Sequence, residues 1–281
     1  MHRGFPLKGV KITAVAAARK VEVPSYFSAN WQVNAGEFSM QVEEVGSFYA
    51  AGGAEAEYSV LQGADPGWVR LYLNGQVAVA LMHQRGMMTL HASSFVHNGK
   101  GVMILGESGA GKSSLTASFA IGGAGLLTDD ITPVVMKDTG PHIMALHESI
   151  RIRKNTAEQL NIDVSLLRDA ESGTGKQYMK TGGGKVAHHP LDVILRVEVG
   201  DVDAPVIEEP LPAEKFSFLR SEICMSELLA GMAETETAYL HQLVRIIEEV
   251  PFARVVRPAG IRIADLHSVV ERFLDRLPGR G

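Results

Sequence analysis

Residues 86–131 read GMMTLHASSFVHNGKGVMILGESGAGKSSLTASFAIGGAGLLTDDI. Within them Gly106-Glu107-Ser108-Gly109-Ala110-Gly111-Lys112-Ser113 matches the phosphate-binding loop pattern GxxxxGK[ST] in full. The backbone N–H groups of such a loop cradle a triphosphate. Lys112 then reaches the β- and γ-phosphates, and the Ser113 hydroxyl helps hold Mg²⁺. The flanks suit that reading. Val102-Met103-Ile104-Leu105 is a short apolar run that reads as a buried strand, and Ser114 to Ala120 continues as a helix. Strand, glycine turn and helix N-terminus together form an anion site. A nucleoside triphosphate with Mg²⁺ is therefore the expected ligand, contacted by Gly106 to Ser113 and the adjoining Ser114.

Working outward, Thr89 to Phe95 and Gly101 to Leu105 read as consecutive strands, and Asn98-Gly99 between them is a strong hairpin signal. Gly122-Gly123-Ala124-Gly125 ends the loop helix. Leu126-Leu127-Thr128 then forms a strand that delivers Asp129-Asp130 at its C-terminal end, where open α/β sheets keep their ligand-binding residues. Residues 1 to about 63 alternate apolar and polar character in short runs, with turn chemistry at Gly52-Gly53 and Gly63-Ala64-Asp65-Pro66-Gly67. Val69 to Arg85 changes to helical spacing, with Leu73, Val77, Ala80 and Leu81 on one stripe. The expected division is a small, mostly β region over 1–68 and a catalytic domain over 69–281.

Downstream, Asn155 to Leu167 reads as a helix. SGTGKQYMKTGGGK (172–185) reads as a mobile loop, either simply solvated or a lid with three lysines that meet an anion. Leu191 to Val199 is a strong strand, Pro205 to Pro212 a linker, and 214–278 two or three amphipathic helices around Phe252–Val256.

Composition sets the limits. The chain has 281 residues, 46% hydrophobic and 21% charged, as expected of a globular protein with a full core. A net charge of −5 argues against nucleic acid or an anionic membrane as the main partner. The single cysteine, Cys224, excludes an internal disulfide and reads as a packed thiol on a helix, which suits a reducing cytoplasm. No run of about 20 apolar residues is present to span a bilayer. A cytoplasmic location is the expectation.

The surroundings of the loop discriminate among nucleotide-binding classes. Asp129 and Asp130 lie sixteen and seventeen residues beyond Ser113, and His91 lies fifteen residues before Gly106. A carboxylate pair suits phosphoryl transfer: one member helps hold the metal while the other accepts a proton from the attacking hydroxyl. Like-charge repulsion raises the pKa of one of them. The hairpin brings His91 near the phosphates. No LSGGQ sequence appears, which argues against a transporter ATPase.

This arrangement resembles the catalytic domain of HPr kinase/phosphorylase, the bacterial serine kinase family with a phosphoenolpyruvate-carboxykinase-like core. In that family a histidine-bearing strand, a GxSGxGKS loop and an Asp-Asp pair follow one another at this spacing, and His91, Gly106–Ser113 and Asp129-Asp130 match residue by residue. The resemblance implies an α/β fold with a carboxykinase-like P-loop core, a small mostly β N-terminal region and a helical C-terminal part. It also implies Asp130 or Asp129 as base, His91 and Lys112 as further catalytic groups, and Ser113, Asp129 and Glu148 as metal contacts. Glu148 belongs to Glu148-Ser149-Ile150-Arg151, a loose counterpart of the family's Glu-x-Arg-Gly-type motif. The chain departs from the bifunctional members at Ser114, where they carry glutamate, and in lacking their arginine-rich motif. A closer likeness is to the HPr-kinase-related proteins encoded beside peptide-modification genes. It rests on RLYLNGQVAVALMHQRGMMTLHASSFVHNGKG (70–101), Lys176 and His189-Pro190-Leu191. That likeness implies an ATP-dependent serine kinase acting on a protein or peptide, favouring a lasso-peptide-type precursor. The hexamers of the bifunctional relatives imply self-association. Two other classes stay open: a small-molecule kinase using Arg151, Arg153 and Lys154, and a non-catalytic nucleotide sensor.

Overall fold

The computed structural model describes residues 5–146, 149–169, 175–181 and 187–278. It is a mixed α/β chain that divides into two compact units, one of residues 1–89 with 223–242 and one of 90–222 with 243–281. This division falls elsewhere than at 68/69. The helical run after the N-terminal strands, and a segment 150 residues downstream of it, cluster with those strands rather than with the phosphate loop.

The first unit carries a six-stranded sheet in the order Lys11–Ala14, Glu55–Val60, Gly46–Ala51, Glu37–Val42, Trp31–Val33, Tyr26–Phe27. Its pairs are antiparallel except the first, as expected for strands joined by short turns. The helical run begins at Pro66, earlier than its spacing predicts. Asp65 is the N-cap, accepting from the Gly67 N–H at 2.7 Å, and Pro66 takes the first helical position, where its missing N–H costs nothing. The apparent turn Asp65-Pro66-Gly67 is thus a helix start. The run continues through a π-helical turn, Leu73–Val77, to Gln84, and its expected stripe of Leu73, Val77, Ala80 and Leu81 is buried. Cys224 sits in a turn rather than a helix, with its N–H donating to Thr89 O and its carbonyl accepting from the buried His83 ring.

The second unit is built on a sheet ordered Gly125–Thr128, Ser93–His97, Lys100–Leu105, Val193–Val199, Phe252–Arg257, Val206–Glu208. Its three central strands run parallel, so each needs a crossover, and the edge strands are antiparallel. Two helices, Lys112–Ile121 and Ile263–Arg276, share one core with this sheet, contributing Leu115, Phe119, Leu266 and Val270 against Ile104, Leu195 and Val255. That packing fixes the end of Lys100–Leu105 and the start of Lys112–Ile121, between which the GxxxxGK[ST] segment lies. The segment 252–257, expected only as a short segment among helices, is a strand of this sheet. Val206–Glu208, expected as linker, is its outermost strand.

A separate sheet joins Ser149–Arg153, Lys176–Lys180 and Leu167–Asp169 in the order first, second, third. Lys176–Lys180 was expected within a mobile loop; its alternation lets Met179 enter the core beside Ile150 and Ile152 while its lysines stay out. The rest of that expected loop, at 172–174 and 182–185, lies outside the described residues. The expected helix over 155–167 is shorter, Lys154–Gln159, with a single 3-10 turn at Val164–Leu166. Asn161 adopts φ +50°, a left-handed conformation that ends the helix. Among the described residues, no helix is long and apolar enough to cross a membrane.

Candidate functional site

Gly106 leaves the Lys100–Leu105 strand with φ +140°, and a Cβ there would stand 2.3 Å from Val197 O. Only glycine lets the loop turn this close to the neighbouring strand. Gly111 then caps the helix Lys112–Ile121 with φ +105°. Lys112 is the first helical residue and is buried, its Nζ donating to Gly106 O and lying 3.5 Å from Glu107 O. Burial lowers the Lys112 pKa, against the opposing pull of Glu222, Asp130 and Asp129.

The two aspartates stand in different surroundings. Asp129 is buried; its Oδ1 accepts from Ser113 Oγ at 3.0 Å and its Oδ2 from the Arg151 N–H at 2.7 Å. Burial, with the charge of Asp130 beside it, pushes its pKa up to about 6. Asp130 faces the cleft, with Oδ1 3.6 Å from His91 Nε2 and Oδ2 3.4 Å from Arg151 Nη1. Its hydrogen bonding with His91, and then the charges of Lys176 and Arg151, hold its pKa down at about 2 despite partial burial. The turn that separates them is tight: Ile131 N–H donates to Asp129 O at 2.9 Å, and Asp130 takes φ +68°. A γ-turn with positive φ is a rare and strained conformation, costing on the order of 1–3 kcal/mol. Hydroxyls hold it from behind: Thr132 Oγ1 donates to Ala92 O at 2.9 Å, and Thr128 lies 2.5 Å from both Thr132 and Ser94.

His91 is not on a strand. The expected strand Thr89–Phe95 is two strands, Met88–Leu90 and Ser93–His97, broken at His91-Ala92. There the His91 N–H turns to Glu222 O at 2.6 Å, and Ala92 N–H donates to Leu90 O. The break aims the imidazole between Asp130 and Glu222 Oε2, which lies 3.7 Å from Nδ1. Glu222 in turn accepts from Arg196 Nη1 at 3.0 Å, and the Arg196 guanidinium also bonds Glu198 and lies over the Phe218 ring.

A cleft of about 460 Å³ opens here, lined by the exposed part of the loop and by His91, Asp130, Arg151, Lys176 and Arg257. Ser114 also lines it, but its Oγ is engaged with Thr156 Oγ1 at 2.8 Å. Asp129 does not line it and meets it through two residues that do, Ser113 and Arg151. Glu148 lies outside the described residues. Three residues went unnoticed in the sequence. Arg257, at the end of the strand Phe252–Arg257, donates to Ala110 O at 2.9 Å and to Gly109 O at 3.3 Å, clasping the loop. Glu222 and Arg196, the other two, give no sequence signal, because their link to His91 exists only after a crossover of the chain.

The Asp129 geometry yields a stability prediction. Its folded pKa of about 6 exceeds the usual 3.8, so between those values the folded chain holds more protons than the unfolded one. Ligand-free stability should therefore fall as pH rises from about 4 to about 6, by up to about 2–3 kcal/mol at 1.36 kcal/mol per pKa unit. Asp129→Asn should remove that slope and raise the melting temperature at pH 7. Melting curves across this range for both forms would show it, and identical slopes would refute the assignment.

No family model and no curated protein matches this chain. Among solved structures it is similar to one titled HPr(Ser) kinase/phosphatase, from Coxiella burnetii, with 14% sequence identity and a TM-score of 0.36, covering 68% of this chain and 99% of that one.

Proposed function

We propose that this chain is an ATP-dependent kinase that transfers the γ-phosphoryl group to a serine hydroxyl of a protein or peptide, with a lasso-peptide-type precursor as the favoured acceptor. The observation that carries the reading is the division of labour in the aspartate pair. Asp129 is bound to Ser113 Oγ at 3.0 Å behind the loop, and Asp130 stands in the cleft between His91 and Arg151. A nucleotide sensor needs the first carboxylate but has no use for the second, held at a strained turn beside a histidine.

Ser113 Oγ and the Asp129 carboxylate are a hard, oxygen-only donor set. That suits Mg²⁺, which takes one or two protein oxygens and completes its shell with phosphate and water. When bound, Mg²⁺ neutralises charge between the phosphate oxygens. The chain's own groups do the rest. Lys112 and the loop N–H groups stabilise charge on the transferred group. Asp130 orients the acceptor hydroxyl and receives its proton, and His91 holds the Asp130 carboxylate in place. The setting is the cytoplasm, where ATP and reduced Cys224 coexist, and the resemblance favours a self-associated form.

The deciding experiment incubates the chain with Mg²⁺-ATP and candidate acceptors, HPr and a serine-ended lasso-peptide precursor side by side, and weighs the products by mass spectrometry. A gain of one phosphoryl group on either supports the reading. ATP binding with no gain on any acceptor overturns it in favour of a sensor. His91→Ala should slow transfer by about 10–100-fold, the scale of a group that orients another rather than reacting itself, with little loss of thermal stability because the ring is 44% exposed. A large fall in melting temperature would make His91 a structural residue instead.

A further inference from the structure

We infer that the open face of the sheet formed by Ser149–Arg153, Lys176–Lys180 and Leu167–Asp169 is the docking surface for an acidic peptide segment of the acceptor. The inference rests on the kinase reading for its catalytic end, and it names a substrate class that this reading leaves open.

The register sets the face. Arg151 and Arg168 both stand opposite Tyr178, Arg153 opposite Lys176, and Ser149 opposite Lys180. Residues paired across strands share a face, and alternate residues take the other. The other face carries Ile150, Ile152 and Met179 into a core with Ala117 and Leu126. What remains outward is Arg151, Arg153, Arg168, Lys176 and Lys180 with Tyr178 among them. Arg153, Arg168 and Lys180 are exposed, while Arg151 and Lys176 are half-buried and line the cleft. The Arg151 guanidinium lies 5.9 Å from the Tyr178 ring centre, as residues on one face should.

Two features mark this concentration of charge as a binding surface. It runs against the net charge of −5 of the whole chain, and it sets like charges opposite each other, Arg153 against Lys176, which weakens a sheet. A complementary anion offsets that cost. The triphosphate can serve only the cleft end. Lys180 lies four residues beyond Lys176, about 13 Å along the strand, and Arg168 lies on the far strand of the three. Among the described residues these two have no anionic partner, and a second polyanion would supply one. The near end identifies it, because Arg151 reaches Asp130 at 3.4 Å. A serine whose hydroxyl meets Asp130 has its neighbouring residues laid across this face, so acidic neighbours are matched and basic ones repelled.

The test uses the full chain and three fluorescein-labelled serine peptides, flanked by four glutamates, four glutamines or four lysines. Binding is read by anisotropy with Mg²⁺-ADP present, and transfer by mass spectrometry with Mg²⁺-ATP. The expected result is binding of the glutamate peptide about tenfold or more tighter than the glutamine peptide, with no binding of the lysine peptide. That preference should shrink as salt rises. Arg168→Glu combined with Lys180→Glu should abolish the preference while leaving ATP affinity unchanged, since both side chains are exposed and lie away from the loop. Equal binding of glutamate and glutamine peptides, no binding of the glutamate peptide, or a preference that survives the double reversal overturns the inference. Failure of the kinase reading looks different: selective binding of the glutamate peptide with no transfer to it or to any other acceptor.

Discussion

Lys112→Ala should abolish phosphoryl transfer and weaken ATP binding by about tenfold or more, without unfolding the chain. The ammonium is a buried cation at the helix start that donates to the loop carbonyl of Gly106 and feels the charges of Glu222, Asp130 and Asp129. In that low-dielectric position its attraction for developing phosphoryl charge is far larger than in water. Removing one preorganised charge stabiliser from a reacting centre costs on the order of 10²–10³ in rate. The same burial that makes the charge effective also makes it costly to keep, since desolvation lowers its pKa. The alanine variant therefore loses little stability, and its partner for comparison is Lys112→Met, which keeps the stem and removes only the charge. Calorimetric titration with ATP and a transfer assay on both variants would check this. Transfer retained in Lys112→Met would remove the ammonium from the mechanism.

What was legible in the sequence is what short-range chemistry determines. The loop, its strand and its helix are contiguous, and the glycines at 106 and 111 are needed there for reasons local to the turn. The hairpin at Asn98-Gly99 follows from the same kind of rule: both residues have positive φ, as a two-residue turn requires. Asp65 before Pro66 was equally local and still misread, because a turn and a capped helix start share their residues. The strands 206–208 and 252–257 were missed for a different reason. Each is short, and each is a strand only because a distant segment offers a pairing edge: Val193–Val199 for 252–257, and 252–257 in turn for 206–208. Lys176–Lys180 likewise sits among glycines, so composition hides the alternation that pairing exploits.

The site divides along the same line. His91, Lys112, Ser113 and the aspartates were legible because motif spacing carries them. Their differentiation was not, since it depends on which oxygen meets which donor. The spacing leaves either aspartate free to be the base. The hydrogen bond from Ser113 and the backbone donor of Arg151 engage both oxygens of Asp129, which leaves Asp130 for the cleft.

Asp130→Asn should therefore lose transfer by about 10²–10⁴-fold, the span associated with a positioned proton acceptor, while ATP binding changes by no more than about threefold. Asparagine is the right replacement because it tolerates the positive φ of residue 130, so the turn survives and only the charge is removed. With its pKa held at about 2, Asp130 is a weak base in the ground state but is ionised throughout the working range. That suffices for a loose phosphoryl-transfer transition state, in which the hydroxyl becomes acidic only as its bond to phosphorus forms. Orientation and charge then matter more than basicity. Two pH effects follow with opposite assignments. Asp130 should impose no acid limb on the rate above about pH 4, because its carboxylate is protonated only well below that. An acid limb near pH 6 in the apparent affinity for Mg²⁺ belongs to Asp129, whose burial pushes it up to that value in the ligand-free chain, so that the cation must displace its proton. A limb near 6 that persists in Asp130→Asn but vanishes in Asp129→Asn would fix the roles as drawn. A limb that vanishes in Asp130→Asn instead would exchange them, making the cleft carboxylate the titrating group and the buried one a structural anchor for Ser113.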